Sequence, residues 1–194
     1  IVDIVFPVAN LDNNLEKALD VVFEKTEDAI KNGCSVVILS DRVTNRDYAP
    51  IPSILAVSAV HHHLIRVGKR GSIDIVIETG DIREVHHFAT VLGYGASAVC
   101  PYIALDTIRK MEKDNLLNGL SSEEAINKYI DAVNGGLLKI FSKMGISTLA
   151  SYQGAQIFEI LGISSKVVNK YFSGSVSRIE GLDLNDIAHE AILK

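Results

Sequence analysis

Apolar positions along the chain switch between two periods, and this switching predicts alternating helices and strands. From Leu15 to Asn32 the apolar residues fall largely at helical spacing, and Gly33 follows as a helix stop. The next segment, SVVILSD (35–41), is a short unbroken apolar run that ends on an acid. Such a run is typical of a parallel strand that is buried on both faces.

Two more units of strand and helix follow the first. The predicted strands are IDIVIET (73–79) and SAVCPY (97–102), and the predicted helices span 53–67, 81–92 and 104–117. Pro52 suits the opening of the first of these helices, and Asp81 is placed to cap the second. Strands that alternate with helices of this length predict an α/β fold with a parallel sheet and flanking helices. The residues alone leave open whether the sheet is open or part of a barrel.

The second half of the chain is richer in helix. A serine cap at Ser121 or Ser122, with acids just behind it, predicts a long helical stretch that Gly135-Gly136 interrupts. Beyond it we predict an extended piece at 146–149, helices that end at Gly162 and that span 164–174 and 185–193, and a loop over SRIEGLDL (177–184).

Two glycines precede predicted strands. We expect Gly33 and Gly95 to adopt positive φ, where a β-branched residue would be strained. The surrounding GYGAS (93–97) lacks the spacing of a dinucleotide-binding loop and precedes a strand, so it predicts a tight turn.

Composition and charge restrict the possible partners. The 194 residues carry a formal net charge of -5, which argues against nucleic acid as a main partner because phosphate binding needs a basic face. No apolar run of about 18 residues is present, so we expect no membrane span. The first residue is Ile1 and the last segment stops abruptly, so we expect a fragment of a longer protein.

The two cysteines, Cys34 and Cys100, are far apart in sequence and have no metal-ligand spacing. We interpret them as buried free thiols of a protein from a reducing compartment, the cytoplasm or a plastid or other organelle. A structural disulfide is the alternative.

Polar side chains stand at the ends of all three predicted strands. Asp41 and Arg42 end the first, Glu78 and Thr79 end the second, and Tyr102 ends the third. Ligands of parallel α/β folds gather at this edge of the sheet, so these residues form a candidate polar site. The competing interpretation is a set of salt bridges and caps that holds the loops in place.

Two histidine runs suggest a metal site, but their spacing opposes it. His61-His62-His63 lie in a predicted helix, where three successive side chains fan over roughly 200° and cannot reach one ion together. His86-His87 has the same fault. We expect instead one buried, hydrogen-bonded histidine in each run.

Long segments of the chain resemble the central domain of the glutamate synthase large subunit. These segments are ILSDR (38–42), APIPSILAVSAVHHHLIR (49–66), VIETGDIREVHHFATVLGYGASAVCPY (76–102), KMGISTLASYQGAQIFEILG (143–162) and YFSGSVSRIEGLDLNDIA (171–188). The resemblance covers almost the whole of residues 1–194, and it implies a fold similar to a partial, rudimentary TIM barrel with a helix-rich C-terminal part.

The resemblance also implies a role inside a larger enzyme. Glutamate synthases make L-glutamate from L-glutamine and 2-oxoglutarate, and their central domain connects a glutaminase domain to a domain that carries FMN and a 3Fe-4S cluster. Ammonia passes between the two active sites. The family's catalytic and cofactor-binding residues have no matching positions here, so we assign no catalytic, cofactor or metal residue to this chain. An independent small α/β enzyme that uses Asp41, Arg42 and Glu78 is the alternative.

Overall fold

The computed structural model describes residues 1–9 and 13–193, and it has an α/β architecture. The described strands are β1 (Val2–Asp3), β2 (Val5–Pro7), β3 (Val36–Ser40), β4 (Tyr48–Pro50), β5 (Asp74–Glu78), β6 (Ala98–Cys100), β7 (Glu159–Ile163) and β8 (Val176–Leu182). The described helices are α1 (Asn14–Lys31), α2 (Ser53–Arg66), α3 (Val85–Gly93), α4 (Tyr102–Lys113), α5 (Ser122–Met144), α6 (Leu149–Tyr152), α7 (Ser165–Tyr171) and α8 (Leu184–Leu193).

Four strands form a parallel sheet in the order β1-β3-β5-β6. The three strands predicted from apolar runs are its β3, β5 and β6, and the predicted α/β class with a parallel sheet and flanking helices is confirmed. The strands follow one another across the sheet in chain order. In the centre, Leu39 and Ile77 pair across β3 and β5, and both are fully buried.

The core lies between this sheet and its helices. Nine of the fourteen residues of α2 are buried, because its sequence is apolar or small around nearly the whole circumference. Helix α1 is amphipathic instead, and it buries Leu15, Leu19 and Val22 on one face while its charged residues face outward. The first helix and the helix after Pro52 were both predicted close to these bounds.

Two smaller sheets were not predicted. Strands β2 and β4 pair antiparallel, and β4 lies between the first predicted strand and the helix after Pro52. Strands β7 and β8 pair parallel. The predictions of a helix ending at Gly162 and of a loop over 177–184 are therefore wrong. Strands β2 and β4 have three residues each, and β7 and β8 are each interrupted by a glycine, so their apolar patterns are weak and the pairing partner decides their conformation.

Two helices, α3 and α5, differ from their predicted form. The first residue of α3 is Val85, and Glu84 caps it together with His87, so Asp81 is not its cap. Helix α5 begins behind Ser121 as predicted, but it runs through Gly135-Gly136 without a break. A Cβ at Gly136 would lie 2.7 Å from Val85 of α3. This glycine therefore permits close packing of two helices.

Both strand-entrance glycines have positive φ, 78° at Gly33 and 118° at Gly95, as predicted. Within residues 1–9 and 13–193, no helix combines the length and the apolar character needed to cross a bilayer.

Candidate functional site

The five residues predicted at the strand ends lie together at one edge of the sheet. Asp41 and Arg42 directly follow β3, Glu78 ends β5, Thr79 follows it, and Tyr102 is the first residue of α4. Strands β3, β5 and β6 are parallel, so their carboxyl ends converge and bring these side chains into contact.

Asp41 is the buried centre of this cluster, with 5% of its surface exposed. Its Oδ2 accepts hydrogen bonds from Thr79 Oγ1 at 2.6 Å and from the Gly80 backbone N–H at 3.1 Å. Its own backbone N–H donates to the Glu78 carbonyl at 3.2 Å. Asp41 therefore ties the end of β3 to the turn that leaves β5.

Glu78 links the cluster to the solvent-exposed guanidinium of Arg42. One carboxylate oxygen accepts from Ser40 Oγ at 2.6 Å, and the other accepts from Arg42 Nε at 2.6 Å. The hydrogen bond from Ser40, followed by that from Arg42, lowers the pKa of Glu78 below its usual value. The hydrogen bond to Glu78 in turn raises the pKa of Arg42. Both groups are therefore charged and paired at neutral pH.

Tyr102 closes the cluster from the side of α4. The Arg42 guanidinium carbon lies 4.1 Å from the centre of its ring, a cation–π contact. Burial, and next the hydrogen-bonded Asp41 carboxylate, raise the pKa of Tyr102 to about 12. The phenol is thus a neutral hydrogen-bond donor at physiological pH.

Cys100, the last residue of β6, carries a thiol beside this cluster that is a poor nucleophile. Burial, and after it the negative charge of Glu78, raise the pKa of Cys100 above its ordinary value. A thiol with a raised pKa is protonated at neutral pH, and the thiolate is the reactive form. The polar groups at this edge of the sheet contact one another, an arrangement that suits the holding of loops better than acid–base or nucleophilic catalysis.

A second buried polar cluster was missed by the sequence analysis. The His61 ring nitrogen Nδ1 accepts from Arg70 Nε at 2.9 Å, and Arg70 also donates to the carbonyls of Ile73 at 2.7 Å and Gly95 at 2.9 Å. Burial, then the Arg70 charge, lower the pKa of His61 to about 4. His61 is the buried histidine predicted for the first run. Arg70 is the first residue of a short 3-10 helix (Arg70–Ser72) and is distant in sequence from Gly95, so no local pattern could identify it.

His63 belongs to a third polar group, which lies between α2 and α1. Its Nε2 lies 2.9 Å from Glu27, and Lys69 contacts the other oxygen of that carboxylate. The hydrogen bonds from Lys69 and then His63 lower the pKa of Glu27 to about 2. The Phe23 ring stacks on His63 with centroids 4.3 Å apart. These contacts fasten α2 to α1.

The second histidine run does not behave as expected. His86 and His87 are both exposed, so the predicted buried histidine of this run is wrong. His87 is instead the helix-capping partner of Glu84, and its Nδ1 accepts from the backbone N–H groups of Arg83 at 3.3 Å and Glu84 at 3.4 Å. Among the described residues, no group of three or more His, Cys, Asp or Glu side chains is placed to hold a metal ion.

The two thiols do not converge. Cys34 precedes β3 and Cys100 ends β6, at opposite edges of the sheet, and both are free. Cys34 is exposed and Cys100 is half-buried, so the prediction of two buried thiols is wrong. Their separation does not suit a shared iron–sulfur centre, and the paired charges at the strand ends do not suit a flavin phosphate.

An apolar groove of about 730 Å³ lies beside β6, the outer strand of the sheet. Strand β6 forms one wall and α5 forms the other, and the wall from α5 includes Val133, Leu137 and Leu138. Leu138 is 68% exposed at the mouth of the groove.

The chain is similar in sequence to glutamate synthases. The profile of the family described as "Glutamate synthase central domain" matches residues 1–164. The chain is 51% identical over 178 residues to the glutamate synthase [NADPH] large chain of Bacillus subtilis, which covers 92% of this chain and 12% of the relative.

Relatives with other electron donors in their names are nearly as similar. The glutamate synthase [NADH] of Schizosaccharomyces pombe is 47% identical over 175 residues, 90% of this chain and 8% of the relative. The ferredoxin-dependent glutamate synthase 1 of Arabidopsis thaliana, a chloroplastic/mitochondrial protein, is 47% identical over 193 residues, 94% of this chain and 12% of the relative. The chain therefore spans roughly a tenth of the length of these relatives. The alternative of an independent small enzyme receives no support from them.

Proposed function

The chain belongs to the glutamate synthase central domain family, and from that premise we propose that it is the connecting domain of a glutamate synthase and has no catalytic role of its own. The complete enzyme would make L-glutamate from L-glutamine and 2-oxoglutarate with a reduced electron donor. Its glutaminase domain and its flavin domain, with FMN and a 3Fe-4S cluster, would be the partners of this chain within one polypeptide.

The pairing within the strand-end cluster carries this proposal. Asp41, Arg42 and Glu78 are the groups that an independent enzyme would use, and each is bound to a neighbour in the same cluster. The Glu78 carboxylate, held by a serine hydroxyl and a guanidinium, is a poor general base because its charged form is stabilised and its pKa is lowered. The cluster fixes three loops at one edge of a rigid sheet.

The similarity across electron donors supports the same role. Identity to this chain is 51% for the NADPH relative and 47% for the NADH and ferredoxin relatives. A segment that contacted the donor would be expected to differ more between these classes. A common scaffold suits all three.

The test is an assay of the isolated chain beside the complete enzyme. The purified 194-residue chain, mixed with FMN, a reductant and 2-oxoglutarate plus ammonia, should retain no flavin absorbance and form no glutamate, while the complete enzyme does both. Flavin bound at one per chain together with glutamate formation would contradict the proposal.

We extend the proposal to the passage of ammonia, with the apolar groove beside β6 as the wall that this domain contributes. An apolar wall favours neutral ammonia, since an ammonium ion loses its hydration there. In the complete enzyme, Leu138→Glu should lower glutamine-dependent synthesis and leave synthesis from added ammonium salt unchanged. An equal loss of both rates would remove the groove from the ammonia path.

The third part of the proposal concerns the fold, a partial barrel. Four parallel strands in chain order, with no reversal, match successive strands of a (β/α)₈ barrel, whereas doubly wound sheets reverse their order. In a structure of the complete enzyme, a further parallel strand hydrogen-bonded to β6 would fit this interpretation, and a β6 edge that pairs with no further strand would not.

A further inference from the structure

The strands β7 and β8 form a separate parallel pair, called here the β7–β8 ribbon, outside the four-stranded sheet. Parallel strands are normally buried on both faces, and an isolated pair of strands is marginally stable in water. In the ribbon, Ile160 and Ile163 pack against the core, but six of the seven residues of β8 are exposed. The ribbon therefore has an open surface that parallel sheets seldom leave in water.

The open surface is apolar. Leu161 and Ile179 are partners across the two strands, and they are 63% and 57% exposed. Val176 and Leu182, at the two ends of β8, are 50% and 42% exposed. Side chains paired across strands are neighbours, so Leu161 and Ile179 form one continuous patch. Beside the patch, Arg178 forms an ion pair with Glu159 at 3.5 Å, within the ribbon.

The ribbon is fixed in place, although its surface is open. A Cβ at Gly181 would lie 2.5 Å from the carbonyl carbon of Gly162, so the two strands approach closely at a glycine pair. Glu180 accepts from the Ser165 backbone N–H at 2.7 Å and thereby joins β8 to the start of α7. Helix α7 contacts both strands of the ribbon and α2, and it buries Val167, Val168 and Tyr171. A patch that is held rigid before it meets a partner binds at a smaller entropic cost.

The position of the ribbon in the sequence indicates the partner. The central-domain match ends at residue 164, between β7 and β8. The Arabidopsis relative aligns with 94% of this chain, so the similarity continues past that limit, and this chain is 12% of that relative. Strand β7 thus lies within the residues matched by the central-domain family, and strand β8 lies beyond them.

We propose that the β7–β8 ribbon is the docking surface for the domain that follows this segment in the same polypeptide, and that Leu161 and Ile179 contact an apolar surface of that domain. This inference rests on the proposed function, because it requires the chain to be part of a longer synthase. Four aliphatic side chains fall well short of the roughly 800 Å² per partner of a stable complex between free proteins. A covalently attached domain needs less contact, since attachment raises its effective concentration to about the millimolar range.

Hydrogen exchange measured by mass spectrometry tests the proposal in the complete enzyme. Peptides that cover β7 and β8 should exchange about tenfold more slowly in the complete enzyme than in the 194-residue chain. Peptides of β3 and β5 serve as the internal reference for a folded sheet. The double variant L161D/I179D in the complete enzyme should bring ribbon exchange up to the rate in the isolated chain and leave the reference peptides unchanged.

The matched control is the double variant L116D/I65D, which places two aspartates at positions that are 61% and 51% exposed on other surfaces. It should leave ribbon exchange unchanged. L161A/I179A, a milder pair, should give a smaller increase in the same direction. If the isolated chain proves unfolded by its reference peptides, the comparison among variants of the complete enzyme decides alone.

Ribbon exchange that is equally fast in the wild-type complete enzyme and its L161D/I179D variant would overturn the proposal. Protection that appears only in concentrated samples and disappears on dilution would also overturn it, and would assign the patch to a second copy of the chain. Either result leaves the flavin and turnover assays of the isolated chain unaffected. The proposed connecting role and the proposed docking surface can therefore be rejected independently.

Discussion

The sheet half of the molecule, up to β6, and the part from α4 onward bury their residues very differently. Helix α2 buries nine of fourteen residues, whereas none of the twelve residues described in α4 is buried and the 23-residue α5 buries Val133 alone. Most of the core residues come from the sheet half, and the second part adds buried residues mainly from α7 and α8. The second part has apolar side chains in excess of what the described residues cover, which is typical of a segment that meets neighbouring domains.

The largest expected difference between the two parts is in the cost of removing one aliphatic side chain from each. Ile77→Ala in β5, where the side chain is fully buried, should lower the free energy of unfolding by about 2–5 kcal/mol because it leaves a cavity. Leu138→Ala in α5, where the side chain is 68% exposed, should change it by less than about 0.5 kcal/mol. Urea unfolding of the 194-residue chain measures both. Similar losses would mean that the second part is as self-sufficient as the first.

The next largest effect is a difference in stability between alanine substitutions at Gly95 and Gly33, two glycines with positive φ. A Cβ at Gly95 would lie 2.6 Å from Cγ of the buried His61, while a Cβ at Gly33 meets nothing within 4 Å. Gly95→Ala should therefore cost about 2–4 kcal/mol, from backbone strain together with overpacking. Gly33→Ala should cost about 1 kcal/mol from strain alone. Thermal unfolding of both variants checks the difference, and equal melting temperatures would show that the His61 ring moves aside.

The free energy of unfolding should decrease in acid because the buried His61 resists protonation in the folded chain. Its pKa is lowered to about 4 in the folded chain and is about 6.5 when unfolded, so below pH 6.5 the unfolded state binds more protons. Stability should then fall as the pH drops from about 6.5 to about 4, by up to about 3 kcal/mol from this group. His61→Gln, which removes the titration but can still accept from Arg70, should flatten this part of the profile. An unchanged slope would assign the acid sensitivity to other groups.

The smallest of these effects concerns the strand-end cluster. Asp41→Asn takes the charge from the acceptor of the Thr79 and Gly80 hydrogen bonds, and should cost about 1–3 kcal/mol because two buried donors are less well satisfied. Arg42→Gln removes a half-exposed ion pair with Glu78 and should cost less than about 1 kcal/mol. Denaturant midpoints of the two variants give the ranking. In the complete enzyme, neither change should abolish turnover, and a loss of several orders of magnitude at unchanged stability would indicate a catalytic role.

Much of the sheet half could be predicted because its signals are local. The runs VVILS and DIVIE are apolar over several successive residues, and such runs form strands wherever both faces are covered. The strand-end cluster followed from the same pattern, since parallel strands bring their carboxyl ends to one edge. The long segments shared with glutamate synthases identify the family directly, because they are matched residue by residue and do not depend on how the chain folds.

The errors fall where distant contacts decide the conformation. Gly135-Gly136 in isolation indicates a break, but Val85 of α3 fills the space that a Cβ at Gly136 would take, and α5 continues. The segment 177–184 contains a glycine and three charged residues, and pairing with β7 makes most of it a strand. One histidine of the pair His86-His87 was expected in the core, but both are exposed and His87 caps a helix instead.

The sequence by itself determined the α/β class, three of the four strands of the parallel sheet, the helices around them and the family, because hydrophobic periodicity and long shared segments are properties of the chain alone. Only the tertiary structure decided which polar residues meet, as Arg70 meets His61 and Gly95, and which apolar residues are left open, as Leu161 and Ile179 are. Contacts between residues far apart in sequence depend on how packed elements share limited space, and no local pattern records that.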